Sequence, residues 1–227
     1  VFIKEHVYML TSPEKLFARG FGEDYDDETP FVLHREGETK PPTHTNPTFL
    51  PDDLLLALQP VFQIRHPILM FPSLVRAYGR AMAAHTSRPS APKLVAILTL
   101  RHSRQLFDWY LQHPAAPAPK VIDADDIMGD REAVRRLCCE IGFDPDAVRY
   151  EWEAREETDP IDVAFFSTVA ASTGIEPGFE ARGRDLEGEK VKWVEEFGEV
   201  DAGDLARAVE AAVVDYEYLL GYRVRSS

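Results

Sequence analysis

VFQIRHPILMFPSLVRAY, Val61 to Tyr78, holds two periodicities back to back. Val61 to Arg65 reads as an apolar strand, Pro67 stops that pattern, and from residue 68 an amphipathic helix is expected to begin, with Ser73 inside it. A strand that passes directly into a helix is the repeating step of a layered α/β fold, so the stretch predicts a strand over 61–65 and a helix over 68–84. In open parallel sheets ligands lie beyond the carboxyl ends of the strands, where helix starts favour negative charge. Arg65 stands at such an end, with a planar fork matched to phosphate, and Ser73 follows eight residues later on the helix. The pair is a candidate anion site. The competing reading is a surface arginine and a helix serine bonded to its own backbone.

The rest of the chain repeats the pattern. VFIKE (1–5) and KVIDA (120–124) read as further buried parallel strands, and helices are expected at 100–112, at 130–142 behind the capping candidate Asp130, and at 203–220 before Gly221. LVAILTL (94–100) fits either a strand or a helix, and HPAAPAP (113–119) reads as a connector. From Thr11 to Pro51, where GFGEDYDDETP and KPPTHTNP crowd glycine, proline and acids together, periodicity is lost; a long excursion or lid is expected. At 227 residues one domain can bury a substantial core, and a single domain is expected.

Charge narrows the partners. With 39 acidic against 25 basic residues the net charge is −14, which repels nucleic acid and anionic membranes and leaves any anion to a local basic pocket. Cys138 and Cys139 are adjacent on an expected helix and cannot bridge each other, and no apolar run has the length of a membrane span or signal sequence. A reducing, cytoplasmic setting is expected. His34, His44, His66, His85, His102 and His113 form no H-E-x-x-H, the cysteines lack zinc spacing, and no G-x-S-x-G is present, so no metal site and no serine hydrolase of that class is expected. Asp123, Asp125 and Asp126 have the composition of a magnesium site or of an acidic helix start, the second being the commoner use. Phe107, Trp109, Tyr110 and Leu111 are read as core packing ahead of an acceptor pocket.

IRHP followed by PSLVRAY resembles the strand, loop and helix of the sulfotransferase family that uses 3′-phosphoadenosine-5′-phosphosulfate. VFIKEHVYML is similar to that family's strand carrying a lysine and then a histidine, and VIDADDIMGDREAVRRLCCEIGFDPD resembles a stretch of fungal sulfotransferase-like P-loop proteins. The resemblance implies a three-layer P-loop-type α/β fold with a mainly parallel sheet flanked by helices. It further implies sulfuryl transfer from the phosphosulfate donor to a hydroxyl of a small molecule, with Arg65 and Ser73 holding the 3′-phosphate. The donor's phosphosulfate loop has no match, and since Val1 opens in mid-strand, the N-terminal strand and loop are expected to be missing from this chain. Where the family shows a basic loop near Gly-Asp-Trp-Lys this chain has ARGRDLEGEKVKW, so Arg182, Gly183, Arg184 and Lys190 are candidate 3′-phosphate ligands, against a solvated charge run.

For the transfer itself the acceptor must lose a proton. In strand register Phe2, Lys4 and His6 share a face, His6 is the candidate base and Lys4 balances charge on the bridging oxygen, with Glu5 as the competing base. A nucleotide cosubstrate and a small apolar hydroxylated or phenolic acceptor are the expected partners. The alternatives are a non-catalytic module that keeps the fold, or a P-loop enzyme with other chemistry.

Overall fold

The computed structural model describes residues 2–11, 32–33, 37, 43–84 and 97–226. Most of the excursion expected over 11–51 therefore lies outside the described residues, as does the first half of 94–100. The architecture is α/β: a small parallel sheet of two hydrogen-bonded strands, β1 (Val61–Ile64) and β2 (Lys120–Asp123), flanked by helices. Contacts divide the chain into two compact units, Val1–Phe62 with Ala91–Lys120, and Gln63–Ser90 with Val121–Ser227.

In the first unit the short helix α1 (Asp52–Leu56) and the helix α3 (Arg101–Gln112) carry the core. Phe107, 1% exposed, meets Phe62 edge to face at 5.5 Å, and the buried Tyr110 hydroxyl donates to the carbonyl of Leu55 at 2.8 Å. Both aromatics are thus core, as their spacing suggested, whereas Leu111 faces solvent. The expected strand at 1–5 does not form among the described residues. Phe2 and Ile3 are 75% and 63% exposed, so the apolar run there finds no sheet to bury it, and a 3-10 turn over Val7–Leu10 follows.

The second unit is built on α2 (Pro67–Ala84), which packs against α6 (Pro160–Ala171), α7 (Leu186–Phe197) and α8 (Glu199–Gly221). Phe71, Trp193 and Leu219, each at most 1% exposed, are the buried faces of α2, α7 and α8. Burial of such side chains contributes about 1.5 to 3 kcal/mol each. Pro67 opens α2, where its missing N–H costs nothing. Pro72 lies inside the helix, where it has no N–H to give the carbonyl of Ile68.

Aspartates start four further helices, which accounts for part of the acidic excess. Asp123 caps α4 (Ala124–Gly129) through Asp125 N, Asp130 caps α5 (Arg131–Glu140) through Glu132 N and Ala133 N, and Asp159 and Asp185 cap α6 and α7. The cap at Asp130 was legible in sequence. The helix α7 was not, because ARGRDLEGEKVKW has the look of a charged loop, yet Asp185 starts a helix that buries Trp193. Gly198, with φ of 86°, then separates α7 from α8, which begins at Glu199 instead of the expected 203. Cys138 is buried and Cys139 exposed, both as free thiols. Among the described residues no helix is long and apolar enough to cross a membrane.

Candidate functional site

Arg65 follows directly on β1 and His66 ends the connection to α2. The Nδ1 of His66 accepts from the backbone N–H of Ile68 at 3.1 Å, so the imidazole does the work of an N-cap side chain. Its ring stands edge-on to Tyr216 of α8 with centroids 4.7 Å apart, and the Tyr216 hydroxyl donates to Asp123 Oδ2 at 3.0 Å. Partial burial lowers the His66 pKa, against the Asp125 and Glu217 charges, which act to raise it. Burial raises the Asp123 pKa, opposed by the bonds from Asp125 N and Tyr216, and raises that of Tyr216, with the Asp123 charge acting in the same direction. The residues at the ends of β1 and β2 are therefore fixed by a side-chain chain, His66 to Tyr216 to Asp123.

The Arg65 guanidinium is half-buried. Nη2 donates to the carbonyl of Phe179 at 3.1 Å, and Nε is buried with no hydrogen-bond partner among the described residues. Desolvation pulls its pKa down, Asp125 and Asp123 act to keep the charge, and Arg184 opposes it. A cation with an unmatched buried N–H, next to another cation, is an arrangement completed by an anion.

The carbonyl that Arg65 holds belongs to the loop 178–184, whose last four residues, 181–184, open the basic stretch 181–193 picked out in sequence. The two motifs are thus brought together. Arg184 is tied down by Nε to Glu180 O at 2.9 Å, Nη2 to Gly178 O at 2.6 Å and Nη1 to Glu189 at 3.0 Å. Buried Glu189 also accepts from Lys192 at 2.6 Å; burial works against its ionisation, but the bonds from Lys192 and Arg184 hold its pKa below the usual carboxylate value. Arg184 is in this way a clamp. Arg182 is exposed and its guanidinium makes no bond among the described residues, while Gly183, with φ of 82°, takes the left-handed turn beside it. Lys190 is half-buried on α7.

Ser73 is the seventh residue of α2 and is exposed, with no bond to Arg65 among the described residues. The three aspartates have separate tasks: Asp123 caps α4, Asp125 accepts the N–H groups of Ala181 and Arg182, and Asp126 pairs with Arg223 at 3.0 Å. Sequence reasoning took Asp125 only as one of an acidic cluster, without its hold on the 178–184 loop, and missed Tyr216. DADD has the look of a helix start, and the partners of both residues are remote in the chain.

In the first unit His6 precedes the 3-10 turn as an exposed residue, its ring tilted against Tyr8 at 5.6 Å and its backbone N–H donating to Glu5 at 3.3 Å. Partial desolvation and then the Lys4 ammonium push its pKa below the ordinary imidazole value, with Glu5 acting the other way. Lys4 is exposed.

The chain is similar to curated proteins of two fungi. It is 33% identical over its whole length to a sulfotransferase, ppzF, of Metarhizium majus (strain ARSEF 297), covering 70% of that protein. It is 32% identical, with the same coverage, to the sulfotransferase ppzF of Metarhizium rileyi (strain RCEF 4871). No protein-family model matches. No solved structure matches.

Proposed function

Because the chain belongs to the sulfotransferase family, we propose that it transfers the sulfuryl group of 3′-phosphoadenosine-5′-phosphosulfate to a hydroxyl of a small molecule. The observation that carries this reading is Arg65: a half-buried guanidinium with an unpaired Nε, beside a loop that presents Arg182 and Gly183. These residues suit a phosphate monoester, which takes several N–H donors at once and welcomes two cations. Arg65 would hold the 3′-phosphate of the donor, with Arg182 and the backbone turn at Gly183 beside it, and Ser73 contributing a hydroxyl from α2.

The bound donor supplies the activated sulfuryl group. His6 takes the acceptor's hydroxyl proton as the acceptor oxygen bonds to sulfur and the bond from sulfur to the 5′-phosphate oxygen breaks. Adenosine 3′,5′-bisphosphate then leaves. A lowered pKa keeps the imidazole neutral near pH 7, the form a general base requires. Lys4 acts by its charge on the bridging oxygen as negative charge builds there.

The reading is tested by incubating the full protein with the phosphosulfate donor and a panel of phenols and aliphatic alcohols, and measuring release of adenosine 3′,5′-bisphosphate. Release that depends on an acceptor is expected. A panel without any acceptor-dependent release contradicts the proposal.

A further inference from the structure

Two backbone N–H groups of the 178–184 loop converge on one carboxylate. Asp125 Oδ1 accepts from Ala181 N at 2.9 Å, and Oδ2 accepts from Ala181 N and Arg182 N, both at 3.0 Å. The loop's carbonyls are held by cations instead, Phe179 O by Arg65, and Gly178 O and Glu180 O by Arg184. The segment is fixed through both of its backbone polarities. The charged side chain left exposed and without a bond among the described residues at its turn is that of Arg182.

Two consequences follow from this geometry. The N–H groups of 181 and 182 are the ones a phosphate would seek in a main-chain cradle, and Asp125 already occupies them, so an anion here is met by side chains. A carboxylate near an anion also weakens its binding by Coulomb repulsion, which excludes Asp125 as a direct ligand. What Asp125 does contribute is placement: it holds the backbone of Arg182 within the same short loop whose Phe179 carbonyl is bound by Arg65.

We propose that Asp125 is a positioning residue for nucleotide binding, holding the 178–184 loop through the N–H groups of Ala181 and Arg182 so that the Arg182 guanidinium shares one phosphate with Arg65. The inference rests on the reading of Arg65 as a 3′-phosphate ligand. Asp125 itself touches no atom of the nucleotide and acts through Arg182.

The test is titration calorimetry of the full protein with adenosine 3′,5′-bisphosphate and with adenosine 5′-monophosphate at one salt concentration. Wild type is compared with Asp125→Ala, Asp125→Asn, Arg182→Ala and the double variant Asp125→Ala/Arg182→Ala. Asp125→Ala is expected to lower the preference for the bisphosphate about tenfold while leaving monophosphate affinity unchanged. Asp125→Asn, whose amide oxygen still accepts an N–H, keeps most of the preference. The double variant falls within about twofold of Arg182→Ala, because both changes remove one contact.

An Asp125→Ala protein that prefers the bisphosphate as strongly as wild type overturns this inference alone, and so do losses that add in the double variant. A wild type with no preference overturns the reading of Arg65 and this role with it. Should Asp125→Ala fail to fold, amide exchange on the native protein decides. The amides of Ala181 and Arg182 are expected to be protected with and without bisphosphate, and protection that appears only on binding overturns the proposal.

Discussion

At 45–52 and at 178–184 the chain is folded around a single carboxylate, and the two surroundings differ in charge. Asp52, 2% exposed, accepts from the backbone N–H groups of Thr45 and Asn46, from the Thr45 hydroxyl at 2.8 Å and from the Asn46 amide at 2.8 Å. Asn46 and Thr48 complete the turn with bonds of their own, and Trp109 of α3 donates to Thr45. Every donor to it is neutral. Asp125 likewise gathers two backbone N–H groups, but its loop lies against Arg65 and Arg184 and leaves Arg182 exposed. The same backbone device therefore has two uses. Enclosed by neutral donors it makes rigid architecture, and beside the half-satisfied Arg65 and the exposed Arg182 it is proposed to prepare a place for a ligand.

The largest effect expected from breaking this comparison lies at Asp52. Asp52→Asn sets an N–H₂ where four donors converge, and should lower unfolding free energy by about 3 kcal/mol or more. Urea denaturation measures it, with nucleotide affinity in the folded variant unchanged. Burial works against ionisation of Asp52, yet its bonds from Thr45 and Asn46 prevail and its pKa is lowered. A depressed folded pKa makes the contribution complete above the unfolded value of about 3.9, and removes it as pH falls through the folded pKa. The stability gap between wild type and Asp52→Asn should thus be flat from pH 7 to about 4 and shrink below. A gap that stays constant to pH 2.5 would show that charge has no part in it.

His6 sharpens the contrast by asking whether the first unit does chemistry as well as architecture. His6→Ala should lower turnover by about 10²-fold, as removal of a general base does, with bisphosphate affinity unchanged. Since its pKa is lowered, the wild-type rate should be level around pH 7 and decline only below about pH 6.5. Turnover within about threefold of wild type would exclude His6 as the base.

Ser73 gives the smallest effect. A neutral hydroxyl contributes about 1 kcal/mol, so Ser73→Ala should weaken bisphosphate binding about fivefold at most. A loss as large as that of Arg65→Ala would mean that α2 holds the phosphate more directly than its exposed serine suggests.

What could be foreseen in the sequence was local. Val61 to Ala84 shows its strand, its prolyl start and its helix because each is dictated by spacing within one turn or one pleat, and Arg65 marks itself by standing at their junction. The cap at Asp130 is equally local. Asp125 was hidden because its partners lie more than fifty residues away, and Arg184 looked like a ligand because its three backbone and carboxylate partners exist only once the loop closes. VFIKE misled for the opposite reason: its apolar run has the look of a buried strand, but no neighbouring strand among the described residues makes use of it.

Arg65 is proposed to be a phosphate ligand and not merely a structural prop for Phe179. Titration of wild type and Arg65→Ala with adenosine 3′,5′-bisphosphate and adenosine 5′-monophosphate, at fixed salt because the contacts are ionic, addresses it directly. Wild type should prefer the bisphosphate by about 2 kcal/mol or more, since charge-assisted bonds to phosphate contribute about 1.5 to 3 kcal/mol. Arg65→Ala should remove most of that preference and leave monophosphate affinity and thermal midpoint little changed. Equal wild-type affinity for the two nucleotides, or a folded Arg65→Ala protein that keeps the wild-type preference, would contradict this role.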